Sequence, residues 1–180
     1  MNCYQCTDVR LKPIKLETAL PAKQCDKCGG THLDLLSYRN WRENTKPVNS
    51  EEEQTTAEPI EATDTKKALV CQKCSKLMLK FRFSNKHDNF VDVCSTCDDA
   101  WLDSGEWELL NQLDIQNQLT QIMTAPWQKN LKQQHFDEIK HDQYIKQLGE
   151  EDLETVKAFS DWLKDHPNKA LIERYIRSNG

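Results

Sequence analysis

The sequence predicts a small α+β protein: two β-hairpin ribbons, each pinned by cysteine knuckles and followed by a helix, then an α-helical C-terminal region. Three observations predict it. All eight cysteines fall in Cys-x2-Cys pairs, Cys3/Cys6, Cys25/Cys28, Cys71/Cys74 and Cys94/Cys97. The pairs form two sets of nearly equal spacing, with 18 residues between the inner pairs of the first set and 19 in the second. From Glu106 onward, apolar residues recur at helical spacing.

The domain boundaries follow from composition. Residues 1–46 hold the first cysteine set and carry a net charge of +3. Residues 47–66 are rich in Thr, Glu, Ala and Pro and carry −5, which predicts a flexible acidic linker. Such a linker leaves the two ribbons free of a fixed mutual orientation. Residues 67–112 hold the second set, and 113–180 form the helical region. The chain of 180 residues is polar, with a mean hydropathy of −0.81, and is suited to small cores rather than one large one. It has no apolar run near the roughly 20 residues of a membrane span. The first residues lack a basic stretch followed by an apolar one, so the expected location is cytoplasmic.

Two residues between thiolates let a tight turn aim both sulfurs at one ion about 2.3 Å away, and a second knuckle completes a tetrahedron. The spacing therefore predicts two Zn2+ ions, one held by Cys3, Cys6, Cys25 and Cys28, the other by Cys71, Cys74, Cys94 and Cys97. Disulfides fit an oxidising compartment better. A redox pair expects a β-α-β context, and iron–sulfur runs differ in spacing.

The two sets belong to one repeat. Leu33-Asp34 follows Cys28 at the distance at which Leu102-Asp103 follows Cys97, His32 takes the place of Trp101, and Tyr38 that of Trp107. In the second copy Leu77, Leu79, Phe81 and Phe83 alternate with polar or flexible residues as one apolar strand face, and Phe90–Val93 returns as its partner. Trp101 and Leu102 are expected to pack over this hairpin. Asp103 and Glu106 have capping-box spacing at a helix start. In the first copy Pro13 argues for an edge strand.

The second copy, with Trp101-Leu102-Asp103-Ser104-Gly105-Glu106 after its four cysteines, resembles the bacterial transcription-factor-IIB-type zinc ribbon. The first copy resembles a divergent member that keeps Gly29-Gly30 but lacks the Trp, Gly and Glu. In the second copy Asp98-Asp99 stands where the family tends to have Gly-Gly. The resemblance covers roughly 1–42 and 68–112 and implies zinc binding; it assigns no reaction.

Closed four-cysteine sites leave no open coordination position, and His32, His87, His135, His141 and His166 have no catalytic spacing. No enzyme activity and no small-molecule substrate are expected. The expected function is a zinc-stabilised protein-interaction module. Its partner would bind the helical tail, where Pro126, Gly149 and Pro167 separate the helices and Trp127, Trp162 and Tyr175 are the aromatic candidates. One alternative is nucleic-acid contact by the first ribbon through Lys12, Lys15, Lys23, Lys27, Arg39 and Arg42. A second is thiol redox sensing, in which oxidation expels the metal.

Overall fold

The computed structural model describes residues 1–45 and 60–179. The acidic part of the expected linker, 47–59, lies outside them. The described chain forms two compact units, Met1–Lys132 and a second from Gln133 onward. The first unit therefore extends 20 residues past the expected boundary at 112.

The first unit is built on one six-stranded antiparallel sheet. Strands β1 (Lys12–Glu17), β2 (Leu20–Gln24) and β3 (Thr31–Asp34) come from the first ribbon. Strands β4 (Leu79–Arg82), β5 (Phe90–Cys94) and β6 (Asp99–Leu102) come from the second. Their order is β1-β2-β3-β6-β5-β4, the same from either edge once the copies are exchanged. The copies meet where β3 pairs with β6, with His32 opposite Trp101 and Leu33 opposite Ala100. Pro13 sits on edge strand β1, where a missing N–H costs no ladder bond.

Two expectations fail here for one reason. The Trp101-Leu102 segment and its counterpart His32-Leu33 are third strands rather than covers for a hairpin, and pairing them fixes the ribbons in one sheet. The ribbons are thus not independently oriented. Period-2 geometry then sends Trp101 and Leu102 to opposite faces.

One face is apolar and is covered by helices. Leu20, Ala22, Leu33, Val91, Val93, Ala100 and Leu102 pack beneath α1 (Leu35–Asn44), α2 (Glu106–Gln112) and α3 (Leu119–Ile122). Tyr38 of α1 and Trp107 of α2, matched in the repeat, are both buried there. The Tyr38 hydroxyl donates to the Gln116 carbonyl at 2.7 Å and accepts the Leu119 N–H at 3.0 Å, tying the turn at Gln116–Gln118 to α1. Phe81 and Phe83 face this core as expected, but Leu77, just before edge strand β4, is 68% exposed and Leu79, at its start, 55%, with neither among the residues of the helix-covered core. Met78, on the alternate face, is buried instead among the cysteines.

The last seven residues of the expected linker, 60–66, are held against the rest of the first unit by a few contacts. Ile60 and Ala62 lie against the apolar core, the Thr63 N–H donates to the Ser104 carbonyl at 2.9 Å, and the Thr65 N–H donates to Asp103. This strap passes so close to Gly105 (φ +82°) that a Cβ there would lie 2.9 Å from the Glu61 carbonyl oxygen. Only glycine suits both that backbone and that contact.

Helix α4 (Ala125–Leu148) begins at Ala125, so Pro126 opens this helix rather than ending the one before. Its first residues belong to the first unit, where Trp127 packs against the apolar core and Gln128 donates to the Arg82 carbonyl at 2.7 Å. The second unit holds the rest of α4, α5 (Glu150–Lys164) and α6 (Lys169–Asn179). Gly149 lies between α4 and α5 with φ +84°, as its predicted stop role requires. This unit is thinly cored: Leu153 and Leu163 are the buried residues of α5, and α6 has none.

Candidate metal centres

The other face of the sheet carries the cysteines. Cys3, Cys6, Cys25 and Cys28 bring one sulfur each within 4.8 Å of one another, and Cys71, Cys74, Cys94 and Cys97 do the same. Every sequence-predicted ligand joins its predicted group. Cys3 and Cys28 sulfurs are 3.6 Å apart, and Cys74 and Cys94 sulfurs 3.5 Å. A tetrahedron with metal–sulfur bonds of about 2.3 Å has edges near 3.8 Å, so the sulfurs need only slight spreading to close around zinc. All eight cysteines are free thiols.

Local backbone makes each knuckle. Ser75, Gly29 and Asp98 follow the second cysteine of their pairs, and all three have left-handed φ, +59°, +72° and +57°. Each donates its N–H to the carbonyl of the first cysteine, at 2.9, 2.8 and 2.9 Å. The turn then points N–H groups at sulfur: Gln5 and Cys6 at Cys3 (3.4 and 3.3 Å) and Lys73 at Cys71 (3.4 Å). Such donors stabilise a thiolate. Burial pushes the Cys25 thiol up, but the N–H groups of Cys28 and Lys27 outweigh it and bring the group down to about 7. Cys97 is pushed up to about 12, first by sharing a proton with Cys74 and then by burial. Four thiols this close without a cation resist losing all their protons, and a divalent ion removes that resistance.

The first cysteine of every pair is buried and the second half-buried. The buried ones share a cluster with Tyr4, Leu69, Met78 and Trp101 that spans both sets. The two departures from the resembled signature explain each other here. Trp101, fully buried, lies so near Gly30 that a Cβ at 30 would be 2.2 Å from its ring. In the mirrored position the smaller His32 replaces Trp, and Asp99 replaces the second Gly. His32 Nε2 lies 3.0 Å from Asp99 Oδ1. His32, the counterpart of Trp101 in the repeat, stands outside both sulfur groups. Burial holds its pKa below the ordinary value against the pull of Asp99.

Several important residues carried no sequence signal. Lys73, between Cys71 and Cys74, donates to Asp99 at 2.7 Å. Gln5, between Cys3 and Cys6, donates to Asp103. Tyr4 stacks on His32 and lies 4.8 Å from the Trp101 ring centre. Burial, followed by the charges of Asp99, Cys71, Cys94 and Cys97, pushes its phenol up. These contacts join residues far apart in sequence, those of Gln5 and Tyr4 running from one copy to the other or across the seam, and cysteine spacing does not reveal them.

A third group, Asp64, Asp103 and Glu106, brings three carboxylates within 4.8 Å. The expected capping box is half present: Glu106 accepts the Asp103 N–H at 2.8 Å, but Asp103 accepts the Trp101 indole N–H at 2.7 Å instead of capping α2. Lys80 bridges Asp92 (2.8 Å) and Asp64 (3.7 Å), so the group clamps the strap through ion pairs and hydrogen bonds. Burial, then the charges of Asp103 and Asp64, raises Glu106 from an ordinary 4.5 to about 8 despite its hydrogen bonds.

The folded chain therefore holds a proton on Glu106 that the unfolded chain releases above pH 4.5. That contribution is complete below the unfolded value and is lost as pH rises through about 8. Thermal unfolding of metal-saturated protein should show stability falling from pH 6 to 8.5, by up to about 1.4 kcal/mol per pH unit from this group. Glu106→Gln should flatten that slope; an unchanged slope assigns it to other groups.

No described helix is long and apolar enough to cross a membrane. Compared with known proteins, the chain matches no family model, no curated protein and no solved structure.

Proposed function

We propose that this chain is a non-catalytic, two-zinc structural module whose helical second unit binds a protein partner. The observation that carries the reading is the assembly of all eight thiols into two groups of four that share one buried cluster. Zinc there would supply cross-links to a first unit whose sheet needs both ribbons, through Cys3, Cys6, Cys25 and Cys28 at one site and Cys71, Cys74, Cys94 and Cys97 at the other. Four thiolates fill a tetrahedral ion, which suits structure rather than catalysis.

The partner surface is read from what the second unit leaves uncovered. Phe159, Trp162 (55% exposed) and Val156 on α5, and Leu171, Tyr175 (68%) and Ile176 on α6, are exposed. Exposed aromatics of this density favour a protein interface. Trp127 is withdrawn from that surface, since it packs in the first unit.

Nucleic-acid binding by the first ribbon ranks lower because three of its six basic candidates are engaged: Lys12 with Asp26, Arg39 with Asp98, and Arg42 with the Thr120 hydroxyl at 3.0 Å. A photo-crosslinking residue at Trp162 of the full chain, irradiated in native extract, should give a discrete adduct with a second protein. Phe159→Ser should abolish it. Self-adducts alone, or adducts unchanged by Phe159→Ser, would count against this surface.

A further inference from the structure

The two sulfur groups are linked by side chains that cross the seam between the ribbons. The loop between Cys3 and Cys6 sends Tyr4 onto Trp101 and Gln5 onto Asp103. The loop between Cys71 and Cys74 sends Lys73 to Asp99, which also faces His32 of the first ribbon. Trp101 closes the exchange by filling the space left at Gly30, two residues past Cys28. Both sets share one buried cluster, and β3 pairs with β6 between them.

Resting on the zinc reading, we infer that the two sites load cooperatively, zinc at one raising the affinity of the other through the Tyr4–Trp101 and Lys73–Asp99–His32 contacts. The physical reason is ordering. A knuckle loop without metal is held less firmly, so the side chains it sends to the seam, Tyr4 and Gln5 from one loop and Lys73 from the other, are free to leave it. Binding the first ion fixes that loop and with it the wall of the second site. The second ion then pays less ordering entropy. The benefit is reciprocal, because coupling free energy belongs to the pair.

Zinc added to stripped full-length chain and followed by native mass spectrometry gives the test. Two equal, independent sites leave about half the chains with one ion at half-saturation; a coupling of roughly tenfold lowers that to about a quarter. Tyr4→Phe keeps the ring and should keep the low one-zinc fraction, whereas Tyr4→Ala should raise it toward half. Competition with a chromophoric chelator on Cys3→Ser/Cys6→Ser and Cys71→Ser/Cys74→Ser chains should show the surviving site weakened by roughly tenfold in each. Surviving sites with wild-type affinity would overturn the inference. If either variant fails to fold, the wild-type titration decides: under half with one ion supports coupling, half or more refutes it. Zinc bound at neither site would defeat the metal reading itself, whereas two ions bound independently would defeat only this inference.

Discussion

Stripping metal from the protein with a strong chelator at neutral pH should unfold the first unit and leave helical signal from the second. The ribbons' strands are short, four to six residues each. Among the described residues, the buried cluster on their cysteine-bearing face contains no helix residue and is built from the knuckles with Leu69, Met78 and Trp101. Apparent binding energies for structural zinc of about 10–16 kcal/mol match or exceed the 5–15 kcal/mol by which a domain is stable. Loss of both ions should therefore remove the near-UV signal of Trp101 and Trp107, both buried in that unit. Zinc should restore it, while magnesium, which prefers oxygen ligands, should not. Circular dichroism through a cycle of chelation and reloading checks this. A sheet that survives chelation would mean that the cysteines pack as small apolar residues.

Trp101→Ala should be the most costly single substitution outside the cysteines, at about 3–5 kcal/mol for truncating a buried aromatic. The ring is fully buried, touches Tyr4 and Gly30, and donates its indole N–H to Asp103. A fall in melting temperature of roughly 10 °C or more follows. Gly30→Ala should cost about 1–3 kcal/mol in the wild type, because its methyl meets that ring. In the Trp101→Ala background the same change should cost far less, since the space is then free. Additive costs would show that the close approach at Gly30 does not matter.

What could be read from sequence was local, and what escaped it was the joining of the copies. The grouping of the eight cysteines in two sets of four followed from spacing, because a Cys-x2-Cys turn is determined by its own few residues. The helix breaks at Gly149 and after Lys164, and the edge place of Pro13, followed from backbone chemistry in the same way. The third strand of each copy was missed: Thr31–Asp34 and Asp99–Leu102 are four residues long, too short for periodicity to register. Their pairing also turned an expected flexible arrangement into one sheet. The capping box failed in half because Asp103 had better donors from Trp101 and the strap than from its own helix. His32 and Asp99 look like losses from a signature when each copy is read alone, whereas Gly30 and Trp101 are kept. Facing one another across β3 and β6, they are two compensated pairs.

The central claim is that eight thiols close around two zinc ions, and native mass spectrometry of the intact chain weighs it directly. The mass should exceed that of the bare polypeptide by two zinc ions less the protons they displace, and should fall back by that amount after acid or chelator. A chain that carries no bound zinc when purified with zinc present, yet keeps its sheet, contradicts it.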